Sequence, residues 1–218
     1  MKISKSEILF LIQNTADLSG KDLTGIKLSE IDLICVNFSR CILKNSDLSK
    51  SNLSLCNFDG ADLTNCKIDS SNLSGASFKN AILNGADFNF SFLPGANFFN
   101  SQMNKVNFLN AKITLCNFEN ANLQEAIFQM AEASLANFKN TNLKLANLKQ
   151  GYFTGADFSN AQMNSVEFFL SDLSGAKFIG TNLEKAEFIR CVLISTNFSK
   201  ANLKDTLFEN NNESRVQR

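Results

Sequence analysis

Ala121-Asn122-Leu123-Gln124-Glu125 is one five-residue unit in a chain that is almost nothing else. Stepping by five from Leu18 reaches Leu23, Leu28, Leu33, Phe38 and so on to Phe208, and all 39 stops are apolar. Only Ala133 among them is small. The register never slips, so no insertion interrupts it. Two residues before each stop lies a second regular position, almost always small, as in Cys56, Ala61, Cys66, Ser71 and Ala76. The rule is small, any, Leu/Phe, polar, turn residue. A short period held over most of a chain marks a stacked repeat array, in which neighbours bury each other's apolar face.

Ala61-Asp62-Leu63-Thr64-Asn65 and Ala201-Asn202-Leu203-Lys204-Asp205 follow the pattern Ala-Asp/Asn-Leu-x-x. On these residues the stretch from about 16 to 210 resembles the pentapeptide-repeat family. The resemblance implies an all-β solenoid, a right-handed quadrilateral β-helix with four pentapeptides per coil. The 20-residue period has support of its own in the sequence. Phe38, Phe58, Phe78, Phe98, Phe118, Phe138, Phe158, Phe178 and Phe198 form one unbroken column 20 apart. Leu43, Leu63, Leu83, Met103, Leu123, Leu143, Met163, Leu183 and Leu203 form the next, without an aromatic. A period of five alone would not separate Phe from Leu. Nine to ten coils at the inter-strand spacing give a rod about 45 Å long.

Three segments are expected: a capping helix over residues 1–15, the β-helix over 16–210, and a polar, disordered tail over 211–218. Ser4-Lys5-Ser6-Glu7 reads as a capping box, with Ile3 and Ile8 as a hydrophobic staple, ahead of a helix from Lys5 to Gln13. A membrane-surface anchor is the competing reading of that helix. Its polar face is not basic, so the cap is preferred. Lys21, Ile26 and Ile31 put bulky groups at the small position of the first coils, with Lys21 snorkelling outward.

Nine of the ten glycines stand two residues after a central Leu or Phe. That slot suits the third residue of a type II turn, where φ is positive. On the Phe column it reads Gly60, Asn80, Asn100, Asn120, Asn140, Asn160 and Gly180. On another column it holds Phe90, Met130 and Leu170, which predicts a different turn class there. Ala133 is offset one coil on by Phe153, with Gly151 rather than Ala beside it.

Little in the sequence points to chemistry. Lys and Arg total 21, as do Asp and Glu, and His is absent. A net charge of zero gives no support to direct nucleic-acid binding. Five of six cysteines stand at the inward small position, and only Cys35 faces outward. No CxxC pair is present, no cofactor or metal is expected, and buried thiols suit a reducing compartment. The carboxylates Asp17, Asp22, Asp47, Asp62, Asp87, Asp157 and Asp172 repeat just before the central residue, which reads as structure. Lys27, Asp47, Lys67 and Asp87 stack as alternating charges. No secretory signal or membrane span is evident, so cytoplasmic localisation is expected.

The informative departures are apolar residues at outward slots. Phe90, Met130 and Leu170 share one column; Leu109, Phe169 and Ile189 share its neighbour; Phe92, Tyr152 and Val192 lie across the corner. Two readings stand: a surface for an unidentified protein partner, or corner packing that covers backbone. Leu55, Leu115 and Leu135 add a further outward column. The family resemblance implies a homodimer through the C-terminal coil. It also implies an alternative role, binding to a type II topoisomerase such as DNA gyrase by DNA mimicry, with protection against quinolones. Such mimicry needs an acidic surface.

Overall fold

The computed structural model describes residues 5–218. Helix α1 spans Lys5–Thr15, two residues longer than the sequence pattern suggests. The capping box and staple rest on Ile3 and Ser4, outside the described residues. Ile8 of α1 is fully buried, and Leu11 and Ile12 pack on the core beside it. Ala16 ends the helix with φ of 50°, its N–H shared between the Leu11 and Ile12 carbonyls. The Ala16 carbonyl accepts from Asn37 N–H at 2.8 Å, so the residue after the helix joins the first rung of a coil.

From there the chain winds as a four-sided solenoid. Every rung pairs a residue with the one 20 positions on, in parallel, from Asp17↔Asn37 to Asn197↔Gln217. Three short strands lengthen this pattern: β1 (Glu167–Phe169), β2 (Glu187–Ile189) and β3 (Leu207–Glu209), in parallel order β1-β2-β3. Each unit sends three backbone bonds between coils. In one of them Leu18 N–H donates to Asn37 O, Gly20 N–H donates to Ser39 O, and Asn37 N–H donates to Ala16 O.

The central side chains fill the coil. The predicted Phe column stacks nearly face to face, with ring centroids 4.8–5.1 Å apart from Phe38 to Phe198. The structure adds a second stack that the sequence reading missed. Phe88, Phe108 and Phe128 form one run of it, and Phe168, Phe188 and Phe208 another. The two stacks meet edge to face, as in Phe78–Phe88 at 5.8 Å and 88°, the arrangement a ring quadrupole favours. Leu148 interrupts the second stack. Near that gap Phe153 leans between Phe138 and Phe158, and a Cβ on Gly151 would meet Phe153 Cζ at 2.9 Å. Gly151 is therefore small to make room for a ring, and its φ is not positive.

Every fifth residue from Gly20 to Arg215 has positive φ, 31 of them not glycine. Phe90, Met130 and Leu170 have φ of 55°, 58° and 54°, and the different turn class expected on this column is corrected at Phe90 and Met130. At Phe90 and Met130 the ordinary turn closes: Ser91 N–H donates to Phe88 O at 3.1 Å, and Ala131 N–H to Phe128 O at 3.0 Å. The physical reason is that a square coil must turn left-handed at each corner, whatever residue stands there. An L-residue pays about 1–2 kcal/mol for that conformation, and the cross-coil bonds on both sides hold it in place.

The tail over 211–218 is also corrected. Rungs Val192↔Asn212 and Asn197↔Gln217 continue the coil, and Phe198 N–H donates to Gln217 O at 2.7 Å. Backbone rungs do not require an apolar centre. Here the two central positions are Glu213 and Arg218, which pair at 2.6 Å, while Val216 packs on the core. The Arg218 guanidinium lies over the Phe208 ring, 5.0 Å from its centroid.

Candidate functional site

Among the described residues the interior is filled by the chain's own side chains. Cys41, Cys56, Cys66, Cys116 and Cys191 are all buried. Burial pushes the Cys41 thiol up to about 11 and the Cys56 thiol up to about 12, and raises Cys66 and Cys116 further. These thiols serve as donors: Cys116 Sγ bonds to Leu93 O at 3.0 Å. Among the described residues, no three or more Cys, Asp or Glu side chains gather as a metal-binding group.

The carboxylates and amides before the central residue have a local task. Asp47 Oδ1 accepts from Ser49 N–H at 3.1 Å and from Ser49 Oγ at 2.6 Å. Asn117 accepts likewise from Glu119 N–H. These are Asx turns, which satisfy the amide just past each central residue. The sequence reading assigned these residues to the repeat without finding this bond. The signal was the Asp or Asn one residue before the central position, with Ser or Thr two positions on adding a second bond in units such as Asp47 and Ser49. Neighbouring amides also link from coil to coil, as Asn137 to Asn117 at 3.1 Å.

Some of the charged residues are matched in place. Lys50–Glu30, Lys105–Glu125, Lys112–Glu132 and Lys204–Glu184 each join adjacent coils at 3.2–3.7 Å. Lys44–Asp62, Lys139–Asp157 and Lys149–Glu167 do so diagonally. The Lys27, Asp47, Lys67, Asp87 column is in register as four successive rungs.

The outward apolar residues lie on one side of the rod but not as one patch. Phe92, Lys112, Glu132, Tyr152, Asp172 and Val192 are successive rungs of a single ladder. The Lys112–Glu132 ion pair thus separates Phe92 from Tyr152, three coils or about 14 Å away. One lobe holds Phe90, Phe92 and Leu109. The other holds Tyr152, Phe169, Leu170, Ile189 and Val192, with Phe169 paired directly to Ile189 across β1 and β2. Met130 stands between the lobes. Phe90 is 60 % exposed, Tyr152 56 % and Leu170 50 %. Leu109, Phe169, Ile189 and Val192 are only partly exposed. Thr114, Glu132, Ser134, Tyr152 and Thr154 line a shallow open groove beside the tyrosine.

The Leu55 and Leu135 corner differs in kind. A Cβ on Gly75 would meet Leu55 Cδ2 at 2.9 Å, and one on Gly155 would meet Leu135 Cδ2 at 2.8 Å. Each leucine lies over the glycine one coil on, which is corner packing. The 20-residue spacing of Leu55–Gly75 and Leu135–Gly155 carried this signal in the sequence.

Comparison with known proteins agrees with this architecture. No curated protein matches the chain. Among solved structures, HetL from the cyanobacterium Nostoc sp. Strain PCC 7120 is 23 % identical. It is described as a pentapeptide repeat protein involved in heterocyst differentiation regulation. It matches 97 % of this chain and 94 % of its own with a TM-score of 0.60. Rfr23 from the cyanobacterium Cyanothece 51142 is 22 % identical over 56 % of this chain and 94 % of its own, TM-score 0.45. QnrB1, described as a plasmid-mediated fluoroquinolone resistance protein, is 20 % identical over 74 % of this chain and 86 % of its own, TM-score 0.36. The family model described as pentapeptide repeats matches residues 16–60, 31–69, 56–93, 81–120 and 171–210. The model described as a pentapeptide repeat region matches 101–178. With a five-residue unit, a 20-residue coil and these matches, the chain belongs to the pentapeptide-repeat family.

Proposed function

We propose that the protein is a non-enzymatic interaction rod that presents its two-lobed apolar side to another protein. The carrying observation is the exposure of Phe90, Phe92, Tyr152 and Leu170 on a frame whose other outward positions are mostly polar. Aromatic side chains held on a rigid backbone lose little entropy on contact, which is why such groups anchor interfaces. The Lys112–Glu132 pair between the lobes supplies a polar mark for register. The test is capture from a native lysate by the intact rod and by a Phe90→Ser, Tyr152→Ser variant with unchanged thermal stability. Loss of a specifically captured protein in the variant supports the reading. Equal capture, or none by the intact rod, argues against it.

The alternative is a topoisomerase-binding DNA mimic. It finds less support in the surface charge, because basic and acidic residues balance at 21 each and Glu30, Glu125, Glu132, Glu167 and Glu184 each face a lysine. A DNA mimic depends on unmatched negative charge. A gyrase supercoiling assay with added protein, with and without a quinolone, distinguishes the two. No helix among the described residues is long and apolar enough to cross a membrane.

A further inference from the structure

On one corner of the coil, the backbone turn follows a side chain that belongs to the next coil. The turns at issue run from each central residue of the second Phe column to the small residue three positions on. At 68–71 the turn is open. Ser91 Oγ donates to Ile68 O at 2.8 Å and accepts from Ser71 N–H at 3.2 Å. At 48–51, Ser71 Oγ does the same between Leu48 O and Ser51 N–H, at 3.0 and 3.1 Å. At 28–31, Ser51 Oγ bridges Leu28 O and Ile31 N–H at 2.9 and 3.2 Å. At 188–191 the Asn211 amide takes the place of the hydroxyl, donating to Phe188 O and accepting from Cys191 N–H.

Where the residue 23 positions beyond the central one has no such group, the turn is closed directly. Phe88, Phe108 and Phe128 are followed at that distance by Ala111, Ala131 and Gly151. Their turns close at 3.1, 3.0 and 3.0 Å. The other three corners do not behave this way. Ser46 Oγ donates to Leu23 O while Ile26 N–H still closes the turn at 3.0 Å. Thr181 and Thr196 likewise add to turns that Ala161 and Ala176 close.

We infer that the residue 23 positions on selects the turn at this corner, and that Ala111 and Gly151 are positioning residues for Phe90 and Met130. A hydroxyl wedged between carbonyl and amide widens the turn, and the turn's third residue is the one that carries the outward side chain. Ser70, Lys50 and Glu30 ride on wedged turns, whereas Phe90 and Met130 ride on closed ones. The consequence for partner binding rests on the reading of this side as an interaction surface; the turn rule does not.

Two variants of the full chain test the rule. In a crystal structure of Ala111→Ser, the introduced Oγ is expected within hydrogen-bonding distance of both Phe88 O and Ser91 N. The direct bond between those two atoms should be broken, with Phe90 displaced. In Ser91→Ala, Ser71 N–H is expected to bond Ile68 O directly, and its hydrogen exchange to stay within a few-fold of the wild-type rate. A closed turn in Ala111→Ser, with the new hydroxyl bound only to the carbonyl, would overturn the rule. So would a Ser71 amide left unbonded in Ser91→Ala, read as exchange at least tenfold faster. Failure of either variant to fold would equally count against a turn free to adopt both forms.

Discussion

At the scale of single residues, size and ring contact set the strongest expectations. Phe118 stacks on Phe98 and Phe138 at 5.0 and 4.8 Å and meets Phe108 and Phe128 edge-on. Phe118→Ala should cost about 3–5 kcal/mol in chemical unfolding, because neighbouring coils cannot collapse into the space. Gly151→Ala should destabilise by about 1–3 kcal/mol through its clash with Phe153. Adding Phe153→Leu should recover most of that loss. Thiol reactivity separates inside from outside: in the native protein one cysteine, exposed Cys35, should react promptly with a thiol reagent, and all six after denaturation. The inward cysteines were legible from their place in the repeat. The role of Gly151 was legible only in outline, since the sequence shows that Phe153 is large but not which way its ring turns.

At the scale of the five-residue element, turn chemistry dominates. Leu145 is exposed with φ of 59°, so Leu145→Gly should stabilise by about 0.5–1 kcal/mol in thermal unfolding by removing left-handed strain. Gly75→Ala should do the reverse, because its corner is left-handed and Leu55 lies over it. The Asx turns predict acid sensitivity. The Ser49 hydroxyl holds the Asp47 carboxyl below its ordinary value, helped by the Ser49 amide and by Lys67 and Lys27, against partial burial. For Asp62 and Asp157 burial opposes, but hydrogen bonds from Thr64 and Ser159 and the nearby lysines outweigh it. A depressed carboxylate contributes stability above its unfolded value, about 4, and that stability is lost as pH falls through the folded value. Thermal midpoints should therefore hold from pH 7 to about 4 and fall below it. Asp47→Asn keeps the acceptor and should make that fall shallower. The sequence reading found the turn positions because Gly and Asn cluster there. It missed the uniform left-handed corner at Phe90 and Met130 because propensity is local, whereas the corner is imposed by the coils above and below.

At the scale of the whole molecule, the 20-residue period organises everything else. It was readable because Phe and Leu fall into separate columns, and the rungs from Asp17↔Asn37 to Asn197↔Gln217 follow it. The second aromatic stack was harder to see, because Leu148 breaks it and Leu28, Leu48 and Ile68 precede it. The coil beyond residue 210 was hidden because Glu213 and Arg218 stand where Leu or Phe is expected; both are exposed and pair with each other. The outward apolar residues were legible as residues. Their division by Lys112–Glu132 was not, because an ion pair across coils depends on side-chain direction as well as register.

The structural unit of the rod is the 20-residue coil and not the pentapeptide. The most direct measurement is the thermal midpoint of two variants, one duplicating residues 98–117 and one deleting Ala121–Glu125. Duplication adds one coil, keeps every column in register and should leave the midpoint unchanged or raise it, with a rod about 4.8 Å longer. Deletion rotates Phe128 and everything after it by one face, so that at the junction Phe128 falls on Met103, Phe138 on Ile113 and Leu143 on Phe118, and should lower the midpoint. Equal midpoints for the two variants would contradict the account, since five residues would then be as good a unit as twenty.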